Sequence, residues 1–191
     1  MWGVLKSKKL YELLEKIDRE LAAGVQTGRC IHCGGHLHRA DYPRKPRGGP
    51  AQRLDRWDRR ESFCCERDGC RKRHTPPSVR FLGPKVYLGV VVAIAAAMMH
   101  GANAQRIGQV HAALGIDERT LRRWRQWWLE EFPATGFWKV ARARFMPPAD
   151  EAAMPRCLIE AFKAWGPERL LGLMHFLSPI TTGSCTRASA M

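Results

Sequence analysis

Four cysteines lie in a stretch that cannot build a core of its own, and this constrains the chain more than any other feature. Residues 28–75 hold few aliphatic side chains and are rich in Gly, Pro, Arg and Cys. Such a segment needs a cross-link to hold it, and a bound metal ion supplies one. Cys30-Ile31-His32-Cys33-Gly34-Gly35 places two thiols three positions apart, close enough to chelate one ion, with glycines that let backbone amides turn toward sulfur. A second pair comes from Phe63-Cys64-Cys65-Glu66-Arg67-Asp68-Gly69-Cys70. Two pairs complete one tetrahedral site, so the expected ligands are Cys30, Cys33, Cys65 and Cys70 and the expected ion is Zn2+. The chain has seven cysteines, an odd number that fits a metal site better than a disulfide framework.

Cys64 and Cys65 compete for the third position. Glu61 to Cys65 reads as a strand, in which Phe63 and Cys65 share a face, and that period of two favours Cys65. His32, His36, His38 and His74 are nearby substitutes, but exposure or a nucleic-acid contact suits each of them better. Buried, inert thiols are the plainer alternative. Nothing around Cys64 marks it as a nucleophile.

The formal charge is +14 over 191 residues, with a pI near 10. A protein this basic meets a polyanion, either nucleic acid or an anionic membrane surface. Residues 39–80 carry thirteen Lys and Arg against six acids, and a second group lies at 119–125. The stretch Asp41–Gln52, with three prolines and two glycines, is expected to be a mobile loop in which Arg44, Lys45 and Arg47 contact phosphate. Met1–Lys9 has no secretory-signal pattern. The longest apolar run, Val86–Met99, is shorter than the roughly 20 residues needed to cross a bilayer, so it is expected to be a buried helix. No membrane partner follows, and a cytoplasmic, nucleoid-associated location does.

Helical spacing of Leu10, Leu14, Ile17 and Leu21 predicts an amphipathic helix over residues 5–23, ended by Gly24. Three helices are predicted over 84–132. Pro84 starts the first, Asn103 caps the second, Gly115 ends it, and Asp117 caps the third. The third helix has two faces. Leu121, Trp124, Trp128 and Phe132 lie on one, while Arg119, Arg122, Arg123 and Gln126, with Thr120 beside them, lie on the other. Guanidinium and amide groups are those that contact phosphates and major-groove base edges, so this helix is the expected reader of double-stranded DNA. An ordinary solvated face is the plainer alternative. Pro133–Pro155 reads as a linker, Pro155–Trp165 and Glu168–Leu177 as short helices, and Thr181–Met191 as a disordered tail.

The fold class expected is mainly α with a small β zinc ribbon. The divisions are an N-terminal helix at 1–27, a zinc ribbon with a basic loop at 28–83, a helix-turn-helix bundle at 84–132, linker and short helices at 133–180, and a tail at 181–191.

The order of these parts, Cys-x-x-Cys, basic loop, Cys-x4-Cys-Arg, buried helix and a last helix carrying Leu121-Arg122-Arg123-Trp124, resembles the zinc-ribbon plus helix-turn-helix proteins of bacterial insertion sequences. These are transposase N-terminal modules and their accessory or repressor partners, and the resemblance covers about residues 28–132. It implies binding to element ends or a promoter, a role in transposition, and structural cysteines. A separately encoded transposase and a second copy of the chain are the implied protein partners. Only four acids follow Phe132, at Asp150, Glu151, Glu160 and Glu168, too few over 59 residues for a catalytic nuclease-like domain. The chain is therefore expected not to be an enzyme. A split or degenerate transposase that cuts DNA, and an RNA-binding or protein-docking zinc module, are the alternatives.

Overall fold

The computed structural model describes residue 5 and residues 7–44, 47, 57–82, 87–99, 104–162 and 167–182. The chain is mainly helical, with a small antiparallel sheet and a cysteine cluster. Helix α1 spans Lys8–Thr27 and buries Leu10, Tyr11, Leu14, Asp18 and Ala22. It runs through Gly24 rather than stopping there. The extra turn carries Val25 onto a small apolar cluster of Ala22, Cys30, Leu37, Phe63 and Cys65, where its packing outweighs the cost of a helical glycine.

The strands follow. β1 (Leu37–Arg39), β4 (Phe63–Cys65) and β5 (Arg73–His74) form a three-stranded antiparallel sheet with β4 in the middle. β2 (Tyr42–Pro43) pairs with β3 (Arg59–Arg60), Tyr42 opposite Arg60. The start of the expected loop is therefore a strand, because its backbone finds a ladder partner. Arg44 is held there too. Its backbone N–H donates to the Asp58 carbonyl at 2.6 Å, and its guanidinium lies 5.6 Å from the centre of the Phe81 ring.

The apolar run does not begin as a helix. Tyr87 bridges to Arg47, and the Gly89 N–H donates to the Arg80 carbonyl at 2.7 Å. Helix α2 then covers Gly89–Met98 and is buried from Gly89 to Ala97. Pro84 and Asn103, the expected caps, lie outside the described residues. Helix α3 (Ala104–Leu114) ends at Gly115, whose φ of +62° is left-handed and whose N–H donates to the His111 carbonyl at 2.8 Å. Ile116 is fully buried in the turn. Asp117 caps α4 (Glu118–Gln126), its carboxylate accepting from the Arg119 N–H at 2.9 Å.

A π-helical turn, Trp127–Glu131, continues α4. It gathers Trp127, Trp128 and Phe132 into one aromatic group, with ring centres 4.9–5.5 Å apart, which is why Trp127 packs on the core. The expected linker is structured. α5 (Phe132–Ala134) and α6 (Gly136–Ala141) follow directly, and Trp138 is buried with its indole N–H donating to Glu151 at 2.7 Å. Too many aromatics fall in this segment for it to stay solvated: Phe137, Trp138 and Phe145 all pack on the core cluster. α7 (Arg156–Ala161) and α8 (Pro167–Leu177) complete the helices, and Ser178–Thr181 forms a closing 3-10 turn. Thr181 belongs to the fold rather than to a tail, because its hydroxyl accepts from the Ser78 N–H at 2.8 Å. Residues 183–191 lie outside the described set.

One buried cluster crosses the divisions read from the sequence. It joins α1 (Leu10, Leu14), the 79–82 segment, α2, α4 and the C-terminal helices (Leu158, Leu173). Among the described residues no helix is long and apolar enough to cross a membrane.

Candidate metal centre and basic helix face

The four sulfurs of Cys30, Cys33, Cys65 and Cys70 lie within 4.8 Å of one another. Cys30 Sγ is 3.6 Å from Cys70 Sγ, and Cys33 Sγ is 3.4 Å from Cys65 Sγ. A tetrahedral site with metal–sulfur bonds of about 2.3 Å has sulfur–sulfur edges of about 3.8 Å, so the cluster is positioned to hold a metal ion. The period-two reading of β4 places its residues as expected. Phe63 and Cys65 are fully buried, while Cys64 is half-buried with its thiol near the Arg71 carbonyl at 3.3 Å.

Two matching turns build the site. The Cys30 carbonyl accepts from the Cys33 and Gly34 N–H groups, and the Arg67 carbonyl accepts from the Cys70 and Arg71 N–H groups. Gly34 and Arg71 hold equivalent left-handed positions, φ +70° and +44°. Arg67 thus stands where the first knuckle has Cys30. The second cysteine pair is wider, Cys-x4-Cys, because Cys65 reaches in from the end of β4 instead. Gly35 leaves room for this: a Cβ there would sit 3.1 Å from Cys65 Sγ.

The thiols differ electrostatically. Burial opposes ionisation of Cys30, but the N–H groups of His32 and Cys33 and the His74 ring overcome it and hold its pKa down to about 5. Burial pushes Cys65 up to about 12, and the neighbouring thiols of Cys33, Cys30 and Cys70 add to the rise. A divalent cation would favour the thiolate form of Cys65, which burial opposes in its absence.

The expectation for His74 is exposure or a nucleic-acid contact. His74 is half-buried instead, with Nε2 3.2 Å from Cys30 Sγ, because its place opposite Phe63 in β5 turns it toward the cluster. His32, His36 and His38 are exposed. Glu66 bridges the two knuckles by accepting from the His36 N–H at 2.9 Å, which holds its carboxyl below the ordinary value.

On α4 the two faces separate as the spacing predicts. Leu121, Trp124, Trp128 and Phe132 are buried, and Arg119, Arg122, Arg123 and Gln126 are exposed, with Thr120 between them. Several of these polar groups are already partnered. Arg122 donates twice to Glu118, at 2.9 and 2.6 Å, and Gln126 donates to Glu130 at 2.9 Å. Arg123 reaches the Thr120 hydroxyl at 3.5 Å. Arg47 is exposed, Arg44 is half-buried on Phe81, and Lys45 lies outside the described residues.

The cations of 39–80 are not all on the surface. Two of them serve the interior. Arg60 and Arg80 are 2% and 1% exposed and bond backbone carbonyls. No protein-family model, curated protein or solved structure matches the chain.

Proposed function

We propose that this chain is a zinc-containing protein that binds double-stranded DNA through the outer face of α4, as a non-catalytic accessory or regulator of a bacterial mobile element. Zinc is the ion of choice for four convergent thiolates at tetrahedral spacing, since soft sulfur donors favour it over calcium or magnesium. In this reading the cysteine module is a zinc ribbon and α3–turn–α4 is a helix-turn-helix.

The observation that carries the DNA reading is the division of α4. Leu121, Trp124 and Trp128 anchor it in the core, which leaves Arg119, Arg122, Arg123 and Gln126 outward on a helix entered by a short glycine turn. Such a helix can enter a major groove without unpacking. Freeing Arg122 from Glu118 is cheap, about 0.3–0.5 kcal/mol, because the pair is solvent-exposed. The mobile-element role rests on the order of parts alone, with a transposase and a second copy of the chain as protein partners.

The test is competition between random-sequence duplex DNA and structured RNA for the full chain at one salt concentration. DNA should win, and selection should enrich a defined duplex site. A clear preference for RNA would replace this reading with an RNA-binding zinc module.

A further inference from the structure

Among the described residues, the cysteine cluster has one side-chain N–H partner beyond its four sulfurs. His74 Nε2 lies 3.2 Å from Cys30 Sγ. The His74 ring does not belong to the group whose ligand atoms all lie within 4.8 Å of one another, so its geometry is that of an outer partner and not a fifth ligand. The other N–H groups that reach the sulfurs come from the backbone. His32 and Cys33 serve Cys30, Arg67 serves Cys65, and Lys72 serves Cys70. Among the described residues, His74 is the only side-chain N–H donor at a cluster sulfur.

Its position is fixed from two sides. β5 pairs His74 with Phe63, which is fully buried beneath the cluster. The His32 ring packs 5.6 Å from the His74 ring, centre to centre, and Lys72 Nζ stands 3.5 Å from His32 Nδ1.

We propose that His74 is a positioning residue of the metal centre, donating its Nε2–H to the Cys30 sulfur and strengthening retention of the ion. This rests on the reading that the cluster takes a divalent metal. Four thiolates around a divalent cation leave a net charge of −2 at a largely buried site. An N–H donor disperses part of that charge and fixes the direction of the sulfur lone pairs. This donation requires a proton on Nε2. Partners of this kind typically change metal affinity by about 10–100-fold when removed.

The experiment uses the full chain loaded with cobalt or zinc and titrated with a competing chelator. Wild-type protein must first bind one ion; if it binds none, the metal reading itself fails and this inference falls with it. With one ion bound, His74→Leu should weaken affinity about 10–100-fold. It should also shift the thiolate-to-cobalt charge-transfer band. His74→Gln, which keeps an N–H donor of similar reach, should restore most of the affinity and the band position. His175→Leu, at an exposed histidine of α8, should leave both unchanged. Should the Leu variant fail to fold, the comparison rests on His74→Ser, too short to reach the sulfur, against His74→Gln. Wild-type affinity and an unshifted band in His74→Leu, or equal losses in the Gln and shorter variants, would overturn the proposal.

Discussion

Asp18 and Arg80, each 1% exposed, form a buried ion pair at 2.8 Å that ties α1 to the segment joining the cysteine module to α2. The pair is fully supported. Asp18 also accepts from the Ser78 hydroxyl and the Val79 N–H, both at 2.6 Å. Arg80 also donates to the carbonyls of Trp57 and Arg59, both at 3.0 Å. The Ser78 N–H donates to Thr181, so three distant parts of the chain meet here.

Removing one partner leaves the other charge buried alone. Arg80→Met or Asp18→Leu should each destabilise the chain by about 3–5 kcal/mol in urea unfolding. The double variant should not recover wild-type stability, because the carbonyls of Trp57 and Arg59 and the N–H of Val79 lose their partners as well. Recovery in the double variant would mean that the pair acts only through its charges.

Chelation should act locally. The small cluster around Phe63 and Cys65 takes in all four cysteines, whereas α2 to α4 pack in the larger core. Removing the ion should expose amides of β1, β4, β5 and the last turn of α1 to hydrogen exchange while most helical circular dichroism remains. Complete loss of helix would show one cooperative unit, with the Asp18–Arg80 link transmitting the collapse.

The choice between adjacent cysteines is directly checkable. Cys65 Sγ faces Cys33 Sγ at 3.4 Å, while Cys64 points toward the Arg71 carbonyl. Cys65→Ser should abolish tight metal binding, and Cys64→Ser should keep one ion per chain. The reverse order, read by metal analysis of purified protein, would show that β4 has the opposite register.

Metal uptake should release protons in a pattern set by the shifted thiols. Cys65 lies near 12 and Cys70 is also raised, so both release a proton to the buffer when the ion binds at neutral pH. Cys30, near 5, is already a thiolate above about pH 6 and gives none. Apparent affinity should therefore rise with pH between 6 and 8. Calorimetry in buffers of different ionisation enthalpy should count at least two protons, and fewer than four, per ion at pH 7. A release of four would contradict the low value for Cys30.

The sequence made legible what depends on local pattern. The clustering of Cys30, Cys33, Cys65 and Cys70 followed from spacing and from the alternation of Phe63, Cys64 and Cys65. The two faces of α4 followed from a period of 3.6 residues, and its start from Gly115 and Asp117. Long-range pairing was not legible. Nothing near Arg80 announces Asp18, 62 residues away, and an arginine in a basic stretch reads as surface until its partner is known. The 133–155 segment reads as a linker because its four prolines and single glycine mark turns. Its aromatics are spaced irregularly, and they find their partners in Phe132 and Phe176. The Cys-x4-Cys spacing had its reason only in the Arg67 carbonyl turn.

Binding of α4 variants to a selected duplex and to random duplex across a salt series decides whether α4 reads DNA. Arg119→Ala, Arg122→Ala and Arg123→Ala should include at least one variant that loses about 1–3 kcal/mol of discrimination at a single base pair. Any of the three that contacts phosphate instead should weaken both duplexes alike and lower the salt slope by about 0.9. Arg47→Ala should behave in the second way only. If none of the three α4 variants changes binding while Arg47→Ala does, α4 is not the DNA-binding element and the account is contradicted.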